Sequence, residues 1–387
     1  MPFDFDTPVN RRNTGSLKWD VGENELPMWV ADMDFPAAPA IREAIDARAA
    51  QGVFGYSILP DAWADAYVSW WGTRHGLELK QDWLVFCTGV VPAISSMVRK
   101  LSTPAEKVVV MTPVYNIFFN SIFNNGREVL ESPLRYDGSA YSIDFDDLEA
   151  RLADPQSALL ILCNPHNPIG KIWDADTLRR IGELCHKHAV TVISDEIHCD
   201  LTATGRAYVP FASASDLCRD ISVTCMAPTK AFNLAGLQTA AVMAANPVLR
   251  HKVWRALNTD EVAEPNAFAV DAAVAAFTRG GDWLDALRAY IQQNRKRVEA
   301  FVHAEIPALR VLPSEATYLL WLDCAALGSA SEVASFVRAE TGLYLTDGSV
   351  YRGDGAHFLR MNIACPRVTL EDGLHRLRDG VNAMMKK

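Results

Sequence analysis

From residue 83 onward, short apolar runs alternate with stretches of helical period. The runs fall at 83–88, 107–112, 128–132, 158–163, 191–195, 221–226 and 238–244. Unbroken apolar runs of this length, bounded by Gly, Pro, Asn and Asp, predict strands buried on both faces. Between and after them, helical patterns occupy 91–101, 114–125, 174–188 and 247–257. In the last of these, Leu249, Val253 and Leu257 recur at i, i+4 and i+8, which places them on one face. Such interleaving predicts an α/β fold around a mostly parallel, seven-stranded sheet flanked by helices.

The two ends of the chain read differently. Residues 38–51 and 60–75 carry helical patterns separated by GVFGYSIL, and 266–305 is helical almost throughout. Beyond 310, strand-like runs at 317–323 and 357–363 mix with helices at 331–340 and 369–385. This predicts a smaller α+β domain of residues 1–47 and 286–387 beside a large domain of residues 48–285. The first 35 residues have no helical period, yet LPMWVADMDFP is rich in Trp, Met and Phe. Disordered arms are poor in aromatics, so this segment is expected to strap across a neighbouring subunit or line a cleft.

Composition narrows the function classes. The chain has 387 residues, 49% hydrophobic and 22% charged, as expected of a globular two-domain enzyme. Its formal net charge of −10 and lack of a basic run argue against nucleic acid or an anionic membrane as partner. No apolar leader pattern opens the sequence, and no run is long enough to span a bilayer. The eight cysteines are scattered without C-x-x-C pairs, which favours reduced thiols in the cytoplasm over a disulfide frame or a zinc site.

In parallel α/β sheets ligands bind beyond the carboxyl ends of the strands, so the unusual residues there deserve the closest look. CTGVVPAIS (87–95) takes a strand into a helix through Gly89. Exposed first-turn amides suit a phosphate, although a plain helix start looks the same. CNPHNPIGK (163–171) forces a tight loop that aims Asn167 at the cleft mouth, where its amide can serve a phenolate or a carboxylate. In ISDEIHCDL (193–201), Asp195 ends an apolar strand and needs a cationic partner, for which a protonated pyridine nitrogen would serve. A metal pair of His198 and Asp200 lacks a third ligand nearby. Arg360, in HFLRMNIACPR (357–367), lies inside an apolar run, where a guanidinium either clamps an anion or forms a buried ion pair. Finally, APTKAFNLAGLQ (227–238) sets Lys230 in a hinge after the strand 221–226.

Taken together, the order N-P-x-N-P-x-G, S-D-E-I, T-K and R-x-N resembles the fold-type I pyridoxal-phosphate enzymes of the aminotransferase class I and II superfamily. The resemblance extends over nearly the whole chain. It implies pyridoxal 5'-phosphate held covalently by Lys230, with Asp195 against the ring nitrogen and Asn167 and His198 at the ring hydroxyl oxygen. It further implies that Tyr115 stacks on the ring and that Gly89, Val90 and Thr229 contact the phosphate. Tyr56, in GYSI, matches a tyrosine that reaches the phosphate in a neighbouring subunit, so a homodimer is implied. Arg360 would clamp the α-carboxylate of a small amino-acid substrate, with Asn167 and the Ala31 amide as helpers.

Two departures refine the resemblance. Many relatives carry an arginine where this chain has Gln238, and a tyrosine where it has His198. With LPMWVADMDFP, SDEIHCDL and KAFNLAGLQ, these features resemble the carbon–sulfur β-lyase branch that includes cystathionine β-lyases of the MalY/PatB kind. The expected activity is α,β-elimination on L-cystathionine or related cysteine S-conjugates. Transamination of hydrophobic or aromatic amino acids is the alternative, since one lysine can serve both.

Overall fold

A computed structural model describes residues 3–386. All seven apolar runs form strands of a single sheet. They are β1 (Leu84–Cys87), β2 (Lys107–Val110), β3 (Glu128–Glu131), β4 (Ser157–Cys163), β5 (Thr191–Asp195), β6 (Ser222–Met226) and β7 (Ala240–Met243). Their order across the sheet is β1-β7-β6-β5-β4-β2-β3. The β6-β5-β4-β2-β3 run is parallel throughout, and β7 lies antiparallel between β1 and β6.

The strands read as continuous apolar runs because both faces of the sheet are covered. Val108, Val110, Leu159, Ile161, Ile193 and Val223 share one buried layer, while Val109, Leu160, Leu162 and Val192 share another. This period-two alternation is what a pleated strand imposes. The first layer packs on α3 (Val90–Leu101), whose Val90, Ala93, Ile94, Met97 and Val98 form one apolar stripe. The second packs on α4 (Ala175–Lys187) through Leu178, Ile181 and Cys185; α4 starts where the Asp174 side chain accepts from the Thr177 amide at 2.7 Å.

The predicted helices near the N-terminus are α1 (Pro39–Ala50) and α2 (Asp61–His75). The helix expected over 114–125 is shorter, Ile117–Phe123. The Val114 amide is spent on the Tyr351 carbonyl at 3.0 Å, which keeps the preceding residues out of the helix and leaves Tyr115 beside the cleft. The long helical region resolves into α6 (Ala269–Arg279) and α7 (Gly281–Glu305), after α5 (Pro247–Thr259).

A second sheet is antiparallel, with β8 (Arg310–Val311), β9 (Leu319–Asp323), β10 (Thr346–Asp347) and β11 (Phe358–Asn362) in the order β8-β9-β11-β10. Helices α8 (Ala330–Thr341) and α9 (Arg367–Met384) pack beside it. The N-terminal arm is not helical, as expected, but it is turn-rich rather than extended, because local bonds such as that from the Asp20 amide to the Ser16 carbonyl fold it back on itself. Leu26–Pro27 pairs in parallel with Leu343–Tyr344, and Phe5 packs against Phe35 and Tyr290. Arg11 and Lys18 hold Asp34 at 2.8 Å each, which ties the arm to itself. Among the described residues no helix is long and apolar enough to cross a membrane.

Candidate active site

Four segments leave the carboxyl ends of sheet strands and meet at one cavity of about 270 Å³. The turn after β1 brings Gly89 and Val90, the loop after β4 brings Asn167, the end of β5 brings Asp195 and His198, and the loop after β6 brings Thr229 and Lys230. Tyr115 and Ala31 complete the wall. Nine of the eleven residues singled out from the sequence therefore line this one space. Arg360 reaches it from β11 by donating to the Asn167 side-chain oxygen at 3.2 Å. Tyr56 is the exception: it lies on the loop between α1 and α2 at 101% relative exposure, away from the cavity of its own chain.

Each wall has a local cause. Gly89 is the residue before α3, and no side chain caps that helix. The first-turn amides of Val90 and Val91 have no partner within the helix, and both residues line the cavity. A Cβ on Gly89 would lie 3.2 Å from the Pro92 ring, and its absence keeps the approach open. Asp195 is buried and accepts one hydrogen bond, from the Ile197 amide at 3.1 Å. Burial pushes its carboxyl up to about 6, against the pull of that amide and of Lys230.

The cationic side of the cavity is equally unbalanced. Lys230 donates to the Ala31 carbonyl at 2.6 Å. Burial, reinforced by the charge of Arg360, brings its amine down to about 8. His198 is neutral: burial, with Lys230 and Arg360 adding to it, brings it down to about 3, and its Nδ1 is buried without a partner. Arg360 is buried too, yet its contacts are the Asn167 side chain, the Trp29 carbonyl at 3.0 Å and the Tyr351 ring at 5.0 Å. Among the described residues no carboxylate forms an ion pair with it, and its Nε has no partner. The ion-pair alternative is thereby removed. A buried guanidinium with free donors is a site for an anion.

His198 and Asp200 face different ways. His198 lines the cavity, whereas Asp200 accepts from Trp70 at 3.0 Å and lies 2.9 Å from His75 Nε2. Ala31, expected at the cavity, lines it, and its carbonyl accepts from both Lys230 and Tyr318.

The sequence profile of aminotransferase class I and II matches residues 18–377. The chain belongs to this family. Among its relatives, it is 44% identical to cystathionine beta-lyase PatB of Bacillus subtilis over 383 residues, covering 97% of this chain and 99% of that one. It is 33% identical to protein MalY of Escherichia coli, covering 99% of this chain and 100% of the other. The crystal structure of cystalysin from Treponema denticola, which contains a pyridoxal 5'-phosphate cofactor, superposes with a TM-score of 0.95 at 31% identity. It covers 99% of this chain and 100% of that one.

Within this aminotransferase-family site, several residues escaped the sequence. Asn233 accepts from the Met33 amide at 3.0 Å and donates to the Phe35 carbonyl at 2.9 Å, clasping the arm to the lysine loop. Its φ of 58° is a local oddity invisible in KAFNLAGLQ. Tyr318 looked like any aromatic strand residue. Cys163 and Ile197 line the cavity but read as ends of apolar runs. Asn362 was visible in R-x-N, without any sign of what it binds.

Proposed function

We propose that this chain is a pyridoxal-phosphate-dependent carbon–sulfur β-lyase. It cleaves L-cystathionine or related cysteine S-conjugates by α,β-elimination to a thiol, pyruvate and ammonia. The observation that carries the proposal is a half-buried lysine and a buried carboxylate lining one cavity, with a buried arginine beside it that has no acidic partner among the described residues. Its lyase direction is supported by the likeness to PatB over almost the full length of both chains.

The donor set fits the cofactor. Partnerless first-turn amides at Val90 and Val91, with Thr229, suit its phosphate. Asp195, left with a single backbone donor, suits a protonated ring nitrogen, and burial removes water that would weaken that pairing. Asn167 and the unpartnered His198 Nδ1 suit the ring oxygen, and Tyr115 offers a flat face beside them. Lys230 is the one cavity amine able to hold the aldehyde covalently. When bound, the cofactor supplies an electron sink for the bonds around the substrate α-carbon.

The chain's own groups then divide the remaining work. Arg360 takes the substrate carboxylate and so orients the α-carbon, a bidentate task that suits a planar guanidinium. Once free, Lys230 carries an amine near neutral basicity and moves the proton at that carbon. The same amine can return that proton to the departing sulfur. Gln238 also lines the cavity in place of a cationic residue, so phosphate binding rests on amides and hydroxyls.

We infer that the working unit is a homodimer in the cytoplasm. Val53, Phe54, Tyr56 and Ile58 are all more than half exposed on one loop, a cluster that a second copy would cover. Tyr56 would then reach the partner's phosphate. All eight cysteines are buried as free thiols, in keeping with a reducing compartment.

The test is incubation with L-cystathionine while free thiol and pyruvate are followed. Stoichiometric release of both is the expected result. Conversion of the cofactor to its amine form without thiol, or turnover that requires 2-oxoglutarate, would replace this proposal with transamination.

A further inference from the structure

The R-x-N motif on β11 gives Arg360 a role and leaves Asn362 without one. The two residues are separated by one position, so they share a face of the strand. Asn362 is buried, and its side-chain nitrogen donates to the carbonyls of both Val30 and Asp32, each at 2.6 Å. Its backbone amide donates to the Met28 carbonyl at 2.9 Å. The arm is thus pinned along β11 at every second carbonyl.

Val30 and Ala31 form a bend in the arm, and the Asn362 side-chain nitrogen ties together the carbonyls of Val30 and Asp32 on either side of Ala31. The Ala31 carbonyl between them accepts from Lys230 Nζ at 2.6 Å and from the Tyr318 hydroxyl at 3.0 Å. Nothing about Ala31 itself requires this orientation, since a methyl side chain cannot enforce it.

We propose that Asn362 is the positioning residue for the reactive lysine. By fixing the carbonyls on either side of Ala31, it presents the carbonyl of Ala31 as the acceptor on which the free amine of Lys230 rests. The acceptor favours the charged amine, so it raises the proton affinity that burial and Arg360 depress, alongside the charges of Asp32 and Asp195, and it fixes where the amine points. Tyr318 shares the same oxygen and limits how strongly it can bind the amine. One strand face therefore sets both substrate-facing cations, Arg360 by its own side chain and Lys230 through the arm.

This inference rests on the assignment of Lys230 as the proton-moving group, and the test keeps the two apart. In the cofactor-free protein, Lys230 is labelled with an amine-reactive reagent across a pH series, and its peptide is quantified by mass spectrometry. Asn362→Ala should move the labelling midpoint of Lys230 to lower pH by about one unit, since the acceptor is no longer held. Tyr318→Phe, which keeps the ring and the packing, should move it upward because Lys230 becomes the sole partner of Ala31. In the loaded enzyme, Asn362→Ala should lower kcat about tenfold or more while KM changes little, because Arg360 is retained. If Asn362→Ala leaves the midpoint where it is, the inference is wrong; should that variant not fold, Asn362→Ser, which keeps a polar group but cannot hold both carbonyls, takes its place and is read by the same criterion. A midpoint that moves without any change in kcat would uphold the positioning and overturn Lys230 as the proton carrier.

Discussion

Arg360 donates to the side-chain oxygen of Asn167 across 193 positions of sequence, and that amide is the guanidinium's nearest side-chain partner in place of a carboxylate. Such a contact is weak compensation for a buried cation, so much of its hydrogen-bonding capacity waits for a ligand. Arg360→Ala should lower kcat/KM for amino acids with a free α-carboxylate by about 10²-fold or more, mostly through KM. Substrate analogues lacking the carboxylate should be almost unaffected. Equal losses for both kinds of compound would make Arg360 a structural residue.

Lys230→Ala should abolish turnover. In the unaltered protein loaded with pyridoxal 5'-phosphate, borohydride reduction should fix the cofactor's mass to the peptide containing Lys230. In Lys230→Ala no peptide should carry it. Retained turnover, or label on another lysine, would reassign the anchor.

The raised Asp195 carboxyl has a consequence for the cofactor-free protein. A buried acid whose folded value lies near 6, above the ordinary 3.8, favours the neutral form. Its contribution to stability is intact below the ordinary value and is lost as pH rises through about 6. At pH 8 the full cost of a buried, half-compensated carboxylate is therefore present. Asp195→Asn should stabilise the cofactor-free protein at pH 8 by ~1–3 kcal/mol and make little difference at pH 4. Denaturant melts of both proteins at the two pH values would check the sign. A variant less stable at pH 8 than at pH 4, relative to the parent, would contradict it. With cofactor bound the order should reverse, because the carboxylate then has its cation.

Tyr56 can be tested by subunit mixing. If it serves the partner's site, a hybrid of a Tyr56→Ala chain and a Lys230→Ala chain contains one site with both groups intact. Activity should reappear on mixing two nearly inactive proteins, about half that of the parent per hybrid dimer and so about a quarter in an equal, fully exchanged mixture. Mixtures that stay inactive, although hybrids form, would place Tyr56 outside the site.

Much of this molecule was legible in advance, for definable reasons. The strands announced themselves because burial on both faces selects unbroken apolar runs, as in ALLILC over 158–163. Asp195 and Arg360 stood out as charges at the end of, or within, apolar runs. Asn233, Tyr318 and the Ala31 carbonyl did not, because their importance comes from partners about 200 or more positions away and from backbone geometry. An Asn at φ 58° and an Asn in a strand have the same letter. Helix 114–125 was overdrawn for a related reason: the Val114 amide belongs to Tyr351, a pairing no local period can reveal.

The place of β7 in the sheet has a consequence for how the enzyme comes into being. Among the described residues β7 is the only strand linking β1 to the rest, with Cys87 opposite Ala240. Gly89 follows β1 and Lys230 precedes β7, so that pairing is the step that draws anion cradle and lysine together. It closes a loop of about 150 residues, a contact that no local segment can make alone. During synthesis, a chain that has emerged only as far as Lys230 holds most of the residues for the cofactor but not the arrangement. The cofactor site is therefore assembled only in a chain whose sheet extends through β7 to β1.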